Sequence, residues 1–156
     1  MDLANRTILI TGSSDGIGKV LAIEFSKLGS NIILLGRDSS KLDQVYDQLD
    51  RSFKSQKHLI LQADLALLSN ESAHEILRAI TEEFISLDGI IHNAAILGSM
   101  TTLEDYELSR WDEVLNVNLR APFLLTKTLK TILERSKLPR IIFTSSGVAN
   151  IGRAFW

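Results

Sequence analysis

The stretch RTILITGSSDGIG (residues 6–18) decides the fold. It starts with a run rich in β-branched and apolar residues and continues into a turn that carries three glycines. Apolar residues then recur at helical spacing from Ile17 to Leu28. A short apolar run that passes through a glycine turn directly into an amphipathic helix is a strand–turn–helix unit.

The same alternation continues along the chain. Strands are predicted at residues 6–11, 31–36, 58–62, 88–92 and 140–144, and helical patterns begin at Gly16, Ser40, Ala73 and Ser109. Near-continuous apolar strands separated by helices indicate a parallel sheet that is covered on both faces. We therefore expect an α/β fold with one domain over residues 1–156 and a doubly wound, Rossmann-like sheet of strand order 3-2-1-4-5. A flavodoxin-like sheet is the main alternative.

The composition excludes several classes of function. The net charge is −2 and the pI is about 5.9, so the chain lacks the basic character typical of nucleic-acid binders. There are no cysteines, which excludes disulfides and zinc–thiolate sites, and no metal site is predicted. Neither a signal peptide nor a membrane-spanning stretch is evident, and the cytoplasm is the expected location.

The glycine-rich turn is the first candidate binding segment. A glycine turn that opens a helix directs free N–H groups and the positive end of the helix dipole at one point, which suits a pyrophosphate. The spacing is G-x-x-x-G-x-G rather than G-x-G-x-x-G, and an ordinary tight turn is the alternative. The candidate residues of this segment are Gly12, Ser14, Asp15, Gly16, Ile17 and Gly18.

The end of the second predicted strand bears on the choice of nucleotide. Gly36 ends the strand and cannot repel a phosphate, while Arg37 follows it and can accommodate the 2′-phosphate of NADP(H). NADP(H) is therefore favoured, although Asp38 leaves NAD(H) open. Ser40 and Asp43 predict a capping box at the start of the next helix.

The ends of the third and fourth strands carry further candidates. Asp64 could accept a hydrogen bond from an adenine amino group, or act as a local helix cap. Asn93, Ala94 and Ala95 combine a loop-fixing amide with small residues against which a flat ligand can lie. His92 has no carboxylate at ligand spacing, so we interpret it as structural.

Two candidates come from the last third of the chain. Pro122 has no N–H, so it should kink the long helix and leave the carbonyl of Asn118 without its usual partner. Ser145 and Ser146 follow the fifth strand, where a hydroxyl could hydrogen-bond a substrate carbonyl or satisfy local backbone.

In this order, the pieces TGSSDGIG (11–18), Asp64, HNAA (92–95), VNL (117–119) and IIFTSS (141–146) resemble the short-chain dehydrogenase/reductase family. The resemblance implies hydride transfer between a nicotinamide cofactor and a small carbonyl or alcohol substrate. It implies that Asn118 holds a water in a proton relay and that Ser146 orients the substrate. It also implies a homo-oligomer for a full-length form, without nucleic-acid or membrane partners.

The sequence departs from the family at its catalytic pair. The family's Tyr-x-x-x-Lys supplies the acid or base and a lysine that lowers its pKa. Here Tyr46 and Tyr106 are followed four residues later by Asp50 and Arg110. We therefore expect an incomplete fold, a truncated product or partial sequence, and no turnover by this chain. The alternative is a non-catalytic dinucleotide-binding module.

Overall fold

A computed structural model describes residues 3–155 and contains five strands and five α-helices within that range. The strands are β1 (Thr7–Thr11), β2 (Asn31–Gly36), β3 (His58–Gln62), β4 (Gly89–His92) and β5 (Arg140–Phe143). The helices are α1 (Gly16–Lys27), α2 (Ser39–Tyr46), α3 (Asn70–Glu83), α4 (Leu108–Leu115) and α5 (Ala121–Leu133). Each predicted strand agrees with an observed one to within a residue at either end.

The five strands form one parallel sheet in the order β3-β2-β1-β4-β5. This confirms the doubly wound, Rossmann-like prediction, and it excludes the flavodoxin-like alternative, which needs a different order. In such a sheet the carboxyl ends of all strands share one edge, so the loops after β1, β2, β3 and β4 meet there.

Two hydrophobic layers cover the sheet. Because side chains alternate along a strand, Leu9 faces the layer built by α3 and α5, while Ile8 and Ile10 face the layer built by α1 and α2. The strands β1, β2 and β4 are almost wholly buried between these layers. This rigid centre holds the loops at the carboxyl edge in fixed relative positions.

The predicted capping box at Ser40 is wrong. The helix α2 begins at Ser39, and Asp38 is its N-cap, with Asp38 Oδ1 accepting a hydrogen bond from the Lys41 amide at 3.0 Å. Asp38 has an extended backbone (φ −99°, ψ 102°), as an N-cap residue requires. The Asp38 carboxylate therefore caps the helix two residues before the predicted serine.

The helix around Pro122 contains an irregular turn. Residues Asn116–Arg120 form a π-turn between α4 and α5, in which the Ala121 amide donates to the carbonyl of Asn116 five residues earlier. Pro122 lies at the start of α5, where its missing N–H is best tolerated. The irregularity predicted from Pro122 is present, and it takes the form of a wide turn.

The strand β5 lies at one edge of the described sheet. All four of its residues are exposed, including Ile141, Ile142 and Phe143. None of the residues of α4 is buried, in contrast to the eight buried residues of α5. The apolar side chains on this side of the molecule are therefore largely uncovered within residues 3–155.

Candidate functional site

The turn between β1 and α1 is fixed to the neighbouring strand. The Gly12 amide donates to the Leu35 carbonyl at 2.8 Å, and the buried Ser13 hydroxyl donates to the same oxygen at 3.3 Å. Asp15 then caps α1 by accepting from the Gly16 amide at 2.8 Å. These contacts hold the first turn of α1 at the carboxyl edge of the sheet.

The three glycines of this turn have different surroundings. A Cβ atom on Gly18 would lie 2.3 Å from the Gly12 oxygen, and one on Gly12 would lie 2.8 Å from the Ala94 Cα. Gly16 has φ +51°, and a Cβ atom there would meet nothing within 4 Å. Gly12 and Gly18 therefore permit close packing, whereas Gly16 leaves open space before the helix N-terminus.

A cleft of about 230 Å³ begins at this turn and runs across the ends of β1, β2, β3 and β4. It is lined by Gly12, Ser14, Gly36, Arg37, Ala63, Asp64, Leu65, Asn93, Ala94, Ala95, Ile96 and Val117. Of the predicted binding residues, seven line this cleft, while Asp15, Gly16 and Ile17 are exposed outside its lining and Gly18 is buried. The open helix N-terminus, the bare Gly36 and Arg37 fit a dinucleotide that carries phosphates.

Two of the carboxylates near the cleft are already used as caps. Asp64 Oδ1 accepts from the Ala66 amide at 2.9 Å and caps a short 3₁₀ turn, Leu65–Leu67. Asp38 caps α2 and does not line the cleft, whereas its neighbour Arg37 does. The charged side chain that lines the cleft beside Gly36 is therefore the guanidinium of Arg37 and not the carboxylate of Asp38.

Asn93 joins the end of β4 to the end of β1. Its side-chain amide donates to the carbonyls of Thr11 and Gly12 at 3.3 and 3.4 Å. The amides of Asn93 and Ala94 both donate to the Thr11 hydroxyl, at 3.0 and 3.1 Å. Asn93 and Thr11 thus hold the glycine turn against the loop that follows β4.

Asn118 fixes the loop that follows β4. Its side-chain oxygen accepts from the Ile96 amide, and its side-chain nitrogen donates to the Ile96 carbonyl, both at 2.9 Å. The hydroxyl of Tyr106 accepts from the Ser99 amide at 3.4 Å and lies over Gly98. The loop is therefore held from the α4–α5 side at two points.

A second cleft, of about 710 Å³, brings Asn118 and Ser146 together. Ser146 precedes a short 3₁₀ turn, Gly147–Ala149, and its hydroxyl does not cap that turn. Ala95 and Ile96 line both clefts, so the two are adjacent. Most of the other lining side chains are apolar, and Arg153 is the charged residue among them.

The comparison with known proteins settles the family. The pattern of the short chain dehydrogenase family matches residues 6–156. This chain belongs to the short-chain dehydrogenases. The resemblance inferred from the sequence motifs is therefore confirmed.

Individual short-chain dehydrogenases match the chain over almost its whole length. The uncharacterized oxidoreductase YciK of Escherichia coli K12 is 36% identical over 156 residues, or 99% of this chain and 62% of that protein. A short-chain dehydrogenase of Shigella flexneri 2a strain 301, solved in complex with NADP, has 36% identity and a TM-score of 0.92, covering 99% of this chain and 65% of that one. One from Escherichia coli CFT073, solved in complex with NADPH, has the same identity and coverage and a TM-score of 0.91. The chain thus spans less than two thirds of the length of each of these three proteins.

Two further findings concern a membrane and a metal ion as partners of this chain. Across the part of the chain that the structure describes, no helix is both long and apolar enough to cross a membrane. No group of three or more His, Asp or Glu residues in residues 3–155 is placed to hold a metal ion. The cytoplasmic location remains a prediction.

The sequence missed some of the residues that shape the site. Ile96, which follows HNAA (92–95), and Val117, which belongs to VNL (117–119), line the first cleft, although neither is among the predicted site residues. Thr11 could have been identified from its hydroxyl, which lies at the end of the first buried strand and can accept from the amides of the loop after β4. The side-chain contact between Asn118 and Ile96 had no local signal, because 22 residues separate the partners.

Replacing Asn118 by alanine should lower the free energy of unfolding by about 1–2 kcal/mol, because two hydrogen bonds to Ile96 are lost. Urea unfolding measures the loss, and amide hydrogen exchange at Ile96 should become faster. Asn116→Ala is the matched control, since Asn116 lies in the same π-turn and makes no side-chain hydrogen bond within residues 3–155. Equal effects of the two substitutions would contradict the assigned contact.

His92 is a buried histidine at the end of β4. Its Nε2 forms a hydrogen bond with the Thr126 hydroxyl at 2.9 Å, and its ring stacks on Phe143 with centroids 4.8 Å apart. Its Nδ1 has no hydrogen-bond partner among the described residues. Burial lowers the pKa of His92 from its ordinary value of 6.5 to about 4.

Because the unfolded chain binds a proton at His92 that the folded chain does not, stability should fall as the pH drops from 6.5 towards 4. This single group can contribute a slope of up to about 1.4 kcal/mol for each pH unit. His92→Asn should flatten the profile of unfolding free energy against pH, and the exposed His74→Asn is the control for removing a histidine elsewhere. An unchanged slope in the His92 variant would show that the ring does not titrate in this way.

Proposed function

We propose that this chain binds NADP(H), and NAD(H) more weakly, as the cofactor-binding part of a short-chain oxidoreductase. The first cleft is the observation that best supports this proposal. Arg37 lines it beside Gly36, whereas the Asp38 carboxylate is directed to the N-terminus of α2, which it caps. An arginine at this position can bind a 2′-phosphate through two N–H groups, whereas an acid would repel it. The two related structures with NADP and NADPH support the same choice.

Most of the predicted residues then have a place in binding. The amides at the start of α1, beside Gly12 and Gly16, would hold the pyrophosphate, because no side chain fills the space before Gly16. Asp64 would accept from the adenine amino group through its second oxygen. Asn93, Ala94 and Ala95 would hold the adenine-side ribose against the sheet, and Ile17 and Ser14 would flank the phosphates.

The second cleft would receive a small carbonyl or alcohol substrate. A nicotinamide cofactor supplies or accepts the hydride in this chemistry. The free hydroxyl of Ser146 would donate a hydrogen bond to the substrate oxygen and orient it. Pro122 has no N–H to donate to the carbonyl of Asn118, so we expect that oxygen to accept from a water that carries protons.

Residues 1–156 lack the family's acid–base pair. Neither Tyr46 nor Tyr106 has a lysine four residues later, so the hydroxyl that would move a proton at the substrate oxygen is absent from this stretch. We therefore propose that the chain binds the cofactor without turnover on its own. A non-catalytic dinucleotide-binding module is the second candidate, and the missing pair also favours it.

Calorimetric titration of the folded chain with NADPH and with NADH tests the proposal. We expect saturable binding of both and a lower Kd for NADPH, together with no oxidation of NADPH in the presence of small aldehydes and ketones. A folded sample that binds neither nucleotide would refute the binding site. Turnover with any of these carbonyl compounds would refute the proposed lack of catalysis and the module.

A further inference from the structure

An ion pair joins the first turns of α1 and α2 beside the first cleft. Lys41 Nζ lies 3.1 Å from Asp15 Oδ2, while Asp15 Oδ1 accepts from the Gly16 amide. The backbone of Lys41 is held in turn, because its amide donates to Asp38. The pair therefore connects two fixed pieces of backbone through flexible side-chain atoms.

The rim of the cleft lies next to this ion pair. Ser14, which precedes Asp15, lines the cleft together with Gly36 and Arg37. A Cβ atom on Gly36 would lie 3.5 Å from the Ser14 hydroxyl, so the first turn and the end of β2 are close together here. Lys41 does not line the cleft, but its ammonium group pairs with Asp15, the residue that follows Ser14, and so lies near the rim that Ser14 and Arg37 form.

Asp15 holds this ammonium group in an exposed ion pair. The hydrogen bond from Lys41 lowers the pKa of Asp15, with help from the Gly16 amide, so the carboxylate is charged at neutral pH. Both side chains are exposed, Lys41 by 51% and Asp15 by 76%, so water screens their attraction. A phosphate monoester carries a charge of about −1.5 to −2, which attracts an ammonium group more strongly than one carboxylate does.

We propose that Lys41 is a second specificity residue for the 2′-phosphate, and that Asp15 competes with the phosphate for it. Lys41 pairs with Asp15 in the free chain and moves to the phosphate when NADPH binds beside Arg37. Asp15 retains its hydrogen bond from the Gly16 amide throughout. This inference rests on the proposed NADP(H) site, and it assigns Asp15 a role that lowers the preference for NADPH.

The test measures Kd for NADPH and NADH with three variants. Lys41→Met should weaken NADPH by about 5- to 10-fold and NADH by less than about 2-fold, because one charge-assisted contact to the 2′-phosphate is lost. Asp15→Asn keeps a side chain that can cap α1 and should tighten NADPH by about 2- to 5-fold relative to NADH. Lys27→Met is the matched control, since Lys27 forms a similar exposed pair with Glu24 at the last turn of α1.

The outcomes separate this inference from the proposed function. If the folded wild-type chain binds neither nucleotide, the proposed function fails and this inference fails with it. If NADPH binds but Lys41→Met changes both Kd values equally or leaves both unchanged, Lys41 does not read the 2′-phosphate and only this inference is wrong. If Asp15→Asn leaves the ratio of the two Kd values unchanged, Asp15 is not a competitor.

Discussion

Replacing Gly18 by alanine is expected to lower the free energy of unfolding by about 3 kcal/mol and to abolish detectable NADPH binding. The added Cβ would lie 2.3 Å from the Gly12 oxygen and 2.7 Å from Asn93 Nδ2. The atoms in the way are backbone or belong to the side chain that holds the glycine turn, so neither can move cheaply. The turn and α1 would have to separate, and the amides proposed to hold the pyrophosphate would lose their positions.

Urea unfolding and calorimetric titration measure the two effects of Gly18→Ala separately. Gly147→Ala is the control, because a Cβ atom there would meet nothing within 4 Å and its backbone is not in the left-handed region. The control should bind NADPH like the wild-type chain. A Gly18→Ala chain as stable as the control would show that the turn can yield where the structure has it packed tightly.

Replacing Arg37 by alanine is expected to weaken NADPH by about 10- to 100-fold and to leave NADH within about 2-fold, as loss of a hydrogen-bonded charge to one phosphate predicts. Arg37 lines the first cleft beside Gly36, and its side chain is exposed. The effect should exceed that of Lys41→Met, because a guanidinium binds a phosphate through two N–H groups and an ammonium acts as a point charge.

Titrations with both nucleotides distinguish a contact to the 2′-phosphate from a general loss of charge. Arg37→Lys should recover only part of the NADPH affinity, since it restores the charge without the planar pair of donors. Arg78→Ala, which removes an exposed arginine from α3, should change neither Kd. If Arg37→Ala weakened NADH as much as NADPH, the arginine would act on the part that the two nucleotides share.

The fold could be predicted from the sequence because its determinants are local and repeated. Each strand is a short apolar run, as in NIILLG (31–36), and each of the first four is followed by a helical pattern. Once the strands are parallel, right-handed crossovers leave few possible orders, and the observed order was among them. The extent of the domain over residues 1–156 remains a prediction.

The features that were predicted wrongly or not at all depend on competition between neighbouring residues or on contacts between distant ones. Asp38 and Ser40 are both good caps, and the sequence does not show which backbone becomes extended. Pro122 indicated an irregular helix, but only the structure shows that the irregularity is a π-turn. The pairing of Asn93 with Thr11 joins residues 82 positions apart, which no local pattern reveals.

The candidate site was predicted as a set of strand ends, and that part follows from the topology of any parallel sheet. The different surroundings of the glycines within the site could not be predicted. Gly12, Gly16 and Gly18 are alike in the sequence, yet two of them face backbone atoms and one faces open space. The distinction depends on how closely the loop after β4 approaches the glycine turn, and the hydrogen bonds of Asn93 set that distance.

The π-turn between α4 and α5 has a consequence for protein engineering. Removing one residue from Asn116–Arg120 would restore ordinary α-helical winding. The four remaining steps of about 100° each turn the backbone about as far as the five wider steps of the π-turn, so α5 would keep its present face towards the sheet. A deletion within the regular turns of α5 would instead rotate the residues after it by about 100° and turn Leu129 and Ile132, which are now fully buried, away from the sheet. A single-residue deletion should therefore be tolerated better in the π-turn than in α5.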